Sequence, residues 1–393
     1  MLKIKLSRNL RRSILRGHPW VYKEAIAQAP KVENAQLVSV LDLKGEEVGW
    51  AMYDPHGPLS LRMVSLEKKP PNAAFFEQQV KRAVALRQGL NLEGTTAYRL
   101  INGEGDFLPG LVCDVYGSTA LTTSGSTAVV QFDGRGPSEF YNKEQIAGWI
   151  SQFTGVKSVV EKFRRNTEGG LNLLAGSPTA STIEITENGV RFEVDIENGQ
   201  KTGFFLDQRD NRQYVRSISR GKSVLNLFSY TGGFSVYAGL GGATRVASLD
   251  VAEGAIRSAD ANWALNGLPP EKHQGLAVDV FAYLTGENEK WDHIIVDPPS
   301  MGHSEEQKER AVKKYTDLFA ASAKLVNAGG QLSLSSCSSH ISFEDFYEII
   351  RESMSLARRR GQILRVSGQG PDHPFLHSSH EQRYLKFVHL ILV

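Results

Sequence analysis

At the start of the chain, apolar residues come in short runs broken by Gly, Pro and Asp. Residues 38–43, 47–53 and 60–64 fit strands, the second with the alternation of a half-buried sheet. Lys68-Lys69-Pro70-Pro71-Asn72 then reads as a linker, because two prolines end regular pairing and the lysines keep the backbone in water. Over 75–90 the apolar residues recur at helical spacing. Strand patterns return at 98–101, 110–115, 120–123 and 158–162, with a helix at 143–153. At about 183 the pattern changes. Residues 183–186 and 190–196 make a hairpin around Asn188-Gly189, a pair that suits the twist of two-residue turns. Beyond it, strands at 223–227, 245–250, 273–279, 293–297 and 331–335 alternate with helices at 234–240, 255–266, 306–326 and 343–358. Such alternation predicts an α/β, doubly wound parallel sheet with helices on both faces. The chain is thus expected to divide into a β-rich domain (1–70), a small α+β domain (71–182) and a doubly wound α/β domain (183–393).

Composition supports several globular units: 393 residues, 41% hydrophobic and 22% charged, can bury a large core. With two cysteines, no secretion signal and no apolar run near about eighteen residues, the expectation is a reducing, cytoplasmic interior and no membrane span. Two cysteines cannot build a four-cysteine zinc site, and the histidines are scattered, so no metal is expected. The net charge of +2 says little, but its distribution is uneven. Lys3, Lys5, Arg8, Arg11, Arg12, Arg16 and Lys23 all precede the first acid, Glu24, and Trp20 and Tyr22 lie among them. This is an electrostatic footprint suited to nucleic-acid phosphates, with Arg8, Arg11 and Arg12 as candidate ligands. A solvated basic face or an Arg-rich targeting leader has the same composition. Against a leader, the segment runs straight into the strand alternation of 36–42.

In a doubly wound sheet, ligands bind beyond the C-terminal strand ends, where turns into helices present backbone amides. The first such turn is Leu227-Phe228-Ser229-Tyr230-Thr231-Gly232-Gly233-Phe234. Its spacing is not G-x-G-x-x-G, and Asp250 ends the next strand, where a carboxylate can accept from ribose hydroxyls. A nucleoside-like cofactor is therefore expected, and a nicotinamide enzyme is a distant alternative. Asp297-Pro298-Pro299-Ser300 ends the fourth strand and puts a carboxylate and a proline-fixed backbone on the same rim.

On these residues the chain resembles class I S-adenosylmethionine-dependent methyltransferases, and among them the 23S ribosomal RNA cytosine-5 methyltransferases of the large-subunit methyltransferase I type. The matching stretches span nearly the whole chain: Arg16-Gly17-His18-Pro19-Trp20-Val21, Leu108-Pro109-Gly110-Leu111, Lys201-Thr202-Gly203-Phe204-Phe205-Leu206-Asp207-Gln208-Arg209-Asp210, Phe228-Ser229-Tyr230-Thr231-Gly232-Gly233-Phe234, Asp297-Pro298-Pro299, Ser336-Cys337-Ser338 and Asp372-His373-Pro374. The resemblance implies a PUA-like RNA-binding domain, an α+β middle domain and a Rossmann-like methyltransferase domain. It implies S-adenosyl-L-methionine as cofactor, 23S ribosomal RNA as partner, no membrane, and a homodimer as an allowed assembly. Phe205, Asp207, Gln208 and Arg209 would close over the cofactor, and Phe228, Ser229, Thr231 and Gly232 would hold its methionine side. Asp250 would take the ribose, Asp279 and Val280 the adenine, and Asp297 with Pro298 would lie beside the methyl group. Pro299, Ser300 and His373 would meet the substrate.

Cytosine C5 is a poor nucleophile until a thiolate adds to C6, so this chemistry needs a cysteine with thiolate character at the sheet rim. Cys337, after the strand at 331–335 and between two serines, is the candidate nucleophile, with Asp297 a candidate for proton removal. Cys113, between Val112 and Asp114 in a strand pattern, is expected to be core. Several RNA cytosine-5 methyltransferases carry a second cysteine beside the Asp-Pro-Pro-like motif, where this chain has Ser300. Two alternatives stay open: transfer to a guanine nitrogen, which needs no thiolate, and a non-catalytic RNA-binding ribosome-assembly factor.

Overall fold

The computed structural model describes residues 1–117, 126–163, 170–286, 289–302 and 305–393, and its contacts divide the chain into two units. The first comprises Met1–Thr186, Val194–Leu206 and Pro371–Gln382; the second comprises Glu187–Glu193, Asp207–Gly370 and Arg383–Val393.

Within the first unit, β1 (Lys3–Lys5), β2 (Trp20–Tyr22), β3 (Gln36–Leu41), β4 (Glu47–Tyr53) and β5 (Leu59–Ser65) form a sheet in the order β1-β3-β4-β5-β2. Ile4, Val21, Val38, Val40, Ala51 and Leu61 meet in its core. β1 and β2 are three residues long, too short to show a period, and they escape a reading by alternation. A second sheet, in the order β10-β9-β8-β7-β6, joins β6 (Ala97–Asn102), β7 (Leu111–Tyr116), β8 (Thr127–Phe132), β9 (Ser158–Lys162) and β10 (Leu171–Gly176). Helices Ala73–Gln88 and Lys143–Thr154 share its core through Val80, Val84, Ile146 and Ile150. The strand expected at 120–123 lies outside the described residues.

β11 (Thr182–Glu187) and β12 (Val190–Asp195) form the expected hairpin, and Asn188 (φ 50°) with Gly189 (φ 78°) supplies the paired left-handed turn that its twist requires. In the second unit, β13 (Ser223–Leu227), β14 (Arg245–Asp250), β15 (His273–Ala277), β16 (Trp291–Val296), β17 (Val326–Ser336), β18 (Gly361–Ser367) and β19 (Lys386–Leu392) lie in the order β15-β14-β13-β16-β17-β19-β18. The first five run parallel. β19 is antiparallel to both β17 and β18. β18 therefore runs the same way as the first five, reached from β17 through helix Phe343–Ala357, and the all-parallel expectation fails only at β19, which follows β18 through a loop instead of a crossover helix.

Alternate residues of each strand feed opposite faces, as the period of two demands. Leu225, Leu227, Ile294, Val296, Val388 and Leu390 pack with helices Lys308–Lys324 and Phe343–Ala357 on one face. Val224, Ile295 and Phe387 join Val215, Phe234 and Trp263 on the other. The strand order reverses at β13, which lies between β14 and β16. This is the switch point at which α/β sheets open a crevice.

Candidate active site

The turn after β13 is held in an uncommon backbone shape: Phe228 (φ 59°), Tyr230 (φ 47°) and Gly232 (φ 79°) are all left-handed. At Gly232 a Cβ would stand 2.8 Å from the Ala259 Cβ, so the turn needs glycine there. Ser229 N–H donates to the Leu249 carbonyl at 2.8 Å, which ties the turn to β14. Tyr230 N–H donates to Asp250 Oδ2 at 2.9 Å, and Ala252 N–H donates to Oδ1 at 3.0 Å. The half-buried Asp250 carboxylate is thereby oriented, and each oxygen keeps acceptor capacity toward a ligand.

Among the described residues, Ser229 Oγ and Thr231 Oγ1 are buried with no hydrogen-bond partner in the protein. Buried hydroxyls rarely stay unpaired, so two in one strained turn fit a polar ligand that the protein chain does not supply. Asp279 is exposed and its Oδ1 accepts from Ala282 N–H at 2.8 Å, while the neighbouring Val280 is buried in the sheet core. Phe228 meets the exposed Phe281 edge-on, with centroids 6.3 Å apart. These residues together fit a nucleoside bearing a charged tail.

A second group lies at the ends of β16 and β17. Gln208 Nε2 donates to Asp297 Oδ1 at 3.0 Å and to Ser335 Oγ at 3.2 Å, while its Oε1 accepts from Asn211 at 2.7 Å. Gln208 therefore joins the two strand ends through one amide. Asp207 Oδ2 accepts from the Tyr384 hydroxyl at 2.6 Å. Arg209 is 3% exposed and its Nε lies 3.3 Å from Asp210 Oδ1. Pro298 is buried, whereas Pro299 is exposed.

Cys337 is half-buried at the first position after β17, and neither Cys113 nor Cys337 is in a disulfide. Both neighbouring serines are fixed. Ser338 Oγ bonds Ser300 Oγ at 2.9 Å and the Tyr315 hydroxyl at 3.0 Å, and Ser336 Oγ donates to that same hydroxyl at 3.2 Å. The Asp-Pro-Pro-Ser turn and the Ser-Cys-Ser turn are thus one bonded assembly. Ser300 serves that bond.

The remaining sequence candidates fall in the first unit. Phe205 carries the Lys201 ammonium over its ring at 4.7 Å. His373 is 1% exposed, with Nδ1 3.1 Å from Asp372 Oδ1. Asp372 Oδ2 accepts from Arg99 N–H at 3.0 Å and its carbonyl from Arg87 at 2.7 Å. His373 thus belongs to a buried arginine–carboxylate network. Arg8 and Arg12 are exposed, while Arg11 is engaged, its guanidinium 2.9 Å from Asp42 and 3.5 Å from Glu46.

One residue of the rim is absent from the sequence reading. Lys386 is 1% exposed, and its ammonium donates to the Ser338 carbonyl at 2.6 Å and the Tyr384 carbonyl at 2.8 Å. The apolar run Phe387-Val388-His389-Leu390-Ile391-Leu392 marks the strand, but nothing local in the sequence marks the lysine that opens it as buried.

Comparison with known proteins agrees with the α/β architecture of the second unit. Residues 141–360 match the model of an S-adenosylmethionine-dependent methyltransferase family, and residues 4–66 match a PUA-like domain. A "Ribosomal RNA large subunit methyltransferase" of Deinococcus radiodurans is 35% identical, covering 99% of this chain and 97% of its own. A "Ribosomal RNA large subunit methyltransferase I" of Photobacterium profundum is 35% identical, covering 98% and 97%. A solved structure from Streptococcus mutans is 25% identical with a TM-score of 0.86 over 100% of both chains. With these matches and an N-terminal PUA-like domain, the chain belongs to the S-adenosylmethionine-dependent methyltransferases, in the family of the ribosomal RNA large subunit methyltransferase I proteins.

Proposed function

We propose that the protein methylates C5 of a cytosine in large-subunit 23S ribosomal RNA through a covalent adduct of Cys337. The observation that carries this reading is the bonded assembly of the Ser-Cys-Ser turn with the Asp-Pro-Pro-Ser turn through Ser300 and Ser338. It holds a sulfur beside a carboxylate-bearing strand end, which transfer to a nitrogen does not require. The names of the relatives support ribosomal RNA as the substrate class, and the reading puts the reaction in the cytoplasm, where ribosomal subunits are made.

In this mechanism the Cys337 thiolate forms a bond to cytosine C6, and the ring electrons make C5 nucleophilic. S-adenosylmethionine, when bound, would supply the electrophilic methyl group that C5 takes up, its sulfonium becoming a neutral thioether. A base then takes the C5 proton, the C6–S bond breaks, and Cys337 leaves as thiolate. Asp297 is the candidate base, oriented by Gln208. Ser229, Thr231 and Asp250 would hold the cofactor through the unpaired hydroxyls and the oriented carboxylate. Asp207, Arg209 and Phe205 would cover it, and Gly232, Phe228, Asp279, Val280 and Pro298 would shape its bed. Pro299 and Ser300 would border the base, and Arg8 and Arg12 would add phosphate contacts.

RNA carrying 5-fluorocytosine at the target tests the adduct, because fluorine at C5 cannot leave as a proton does and the thiol stays bound. The expected result is a protein–RNA species stable to denaturant, formed with the wild type and absent with Cys337→Ala. A Cys337→Ala protein that methylates at the wild-type rate overturns the reading in favour of transfer to nitrogen.

A further inference from the structure

The Lys386 ammonium is buried, yet among the described residues no carboxylate bonds to it: its two hydrogen bonds go to the Ser338 and Tyr384 carbonyls. A lysine buried only for packing is a poor choice, since an apolar side chain of the same volume avoids the desolvation of the charge. What distinguishes the position is its neighbour. Lys386 pairs across the sheet with Ser336 through its backbone, and the carbonyl its ammonium grips belongs to Ser338, so the residue braces the chain on either side of Cys337.

We infer that Lys386 is a positioning residue of the Cys337 centre, pinning the turn that carries the sulfur and favouring its thiolate over its thiol. The inference rests on the nucleophilic reading of Cys337. A cation beside a sulfur stabilises the anion, the usual origin of a reactive cysteine. When the Cys337 S–H bond ionises, the proton goes to solvent and Lys386 keeps its own. When the C6–S bond later breaks, the departing electron pair is met by the same charge.

The groups around Lys386 agree in sign. Burial lowers its pKa to about 8, while Cys337 and Asp345 oppose that fall. Asp345 is itself engaged by Lys308 at 2.8 Å. The Tyr315 hydroxyl, which holds Ser336 and Ser338, is pushed up chiefly by burial and also by the Cys337 charge, so it stays neutral beside the sulfur.

The test is the rate of iodoacetamide alkylation at Cys337 against pH, read by mass mapping of the modified peptide in wild type, Lys386→Met and Lys386→Arg. We expect Lys386→Met to move the midpoint up by about one unit, so that the rate near neutral pH falls about tenfold, and Lys386→Arg to restore much of it. An unchanged midpoint in folded Lys386→Met overturns the inference. If that variant does not fold, the wild type decides alone: a midpoint below the ordinary cysteine value of about 8.5 supports the role, and one at or above it overturns it. Because alkylation needs neither RNA nor cofactor, its outcome is separate from that of the nucleophile reading, which fails if Cys337→Ala still methylates.

Discussion

The two cysteines belong to strands of different sheets, Cys113 within β7 and Cys337 just past β17, and meet opposite surroundings. Cys113 lies mid-strand in β7, wholly buried among Leu100, Ile101, Val115 and Val130, and burial first, with Asp114 second, pushes its thiol far up. Cys337 lies one residue past the end of β17, half-buried, between serines whose hydroxyls are all bonded and beside a buried ammonium. Position along a strand, more than residue type, separates a small hydrophobe from a candidate nucleophile. Mid-strand, the backbone is consumed by neighbours on both sides and the side chain can only pack. At the end of a parallel strand the chain turns, and side chains there face the crevice.

The largest expected effect tests that contrast directly. Cys337→Ala should abolish methyl transfer while leaving cofactor affinity, measured by calorimetry, and thermal stability close to wild type, because the sulfur is at a rim and contributes little packing. A fall in melting temperature comparable to that of a core truncation would make Cys337 a packing residue like Cys113 and remove the contrast.

Asp250 ends a strand of the same sheet, so its loss should also spare stability and fall on function. Asp250→Ala removes the acceptor that Tyr230 and Ala252 orient, and cofactor binding should weaken by about 1.5–3 kcal/mol, the scale of a hydrogen bond to a charged group. Isothermal calorimetry with S-adenosylmethionine measures it. An unchanged dissociation constant would detach Asp250 from the cofactor.

Much of this architecture was legible in the sequence because period and turn chemistry carry it. The five parallel strands announce themselves as apolar runs before helices, and Gly232 and Asp250 mark the switch point through turn geometry and strand ends. β19 was legible only as an apolar run whose partner cannot be read locally, since its antiparallel pairing with β17 spans some fifty residues in register from Gln331↔Ile391 to Ser336↔Lys386. The role of Lys386 was invisible for the same reason. A lysine at a strand start reads as solvated, and only the pairing shows that Ser336 and Ser338 surround it. Arg11 errs the other way: the basic run looks uniform in sequence, yet Asp42, thirty-one residues on, engages one of its arginines. Likewise His373, in a motif beside a proline, is drawn into the arginine–carboxylate network by Asp372, and nothing local to the motif signals that.

The buried ammonium should leave a signature in stability. Its pKa in the folded protein, about 8, is below the ordinary lysine value of about 10.4. Below the lower value both states are protonated and the cost of burying the charge is complete. Between the two the unfolded chain holds more protons than the folded one, so wild-type stability should gain from this residue as pH rises, by about 3 kcal/mol. Denaturant unfolding of wild type and Lys386→Met at a series of pH values isolates the gain, which the variant should lack. In a Cys337→Ala background the rise should begin at lower pH, because the sulfur that raises the lysine pKa is gone. Identical pH profiles with and without Cys337 would separate the two residues and leave Lys386 as a brace for the turn alone.

The smallest effect belongs to the other cysteine, and its sign is opposite. Cys113→Ala removes one buried sulfur from a packed cluster and should cost about 1 kcal/mol, with methyl transfer and Cys337 alkylation unchanged. The pH dependence distinguishes this loss from one at the rim. Since burial raises the Cys113 pKa in the folded state, the folded protein keeps a proton that the unfolded chain loses above about 8.5. Its contribution is complete below that pH and shrinks as pH rises, so the stability gap between wild type and Cys113→Ala should narrow in alkali, while the gain from Lys386 grows over the same interval. A gap that widened instead would mean that the Cys113 thiol ionises more readily in the fold than in the open chain, and the division between a core cysteine and a rim cysteine would fail on its simpler member.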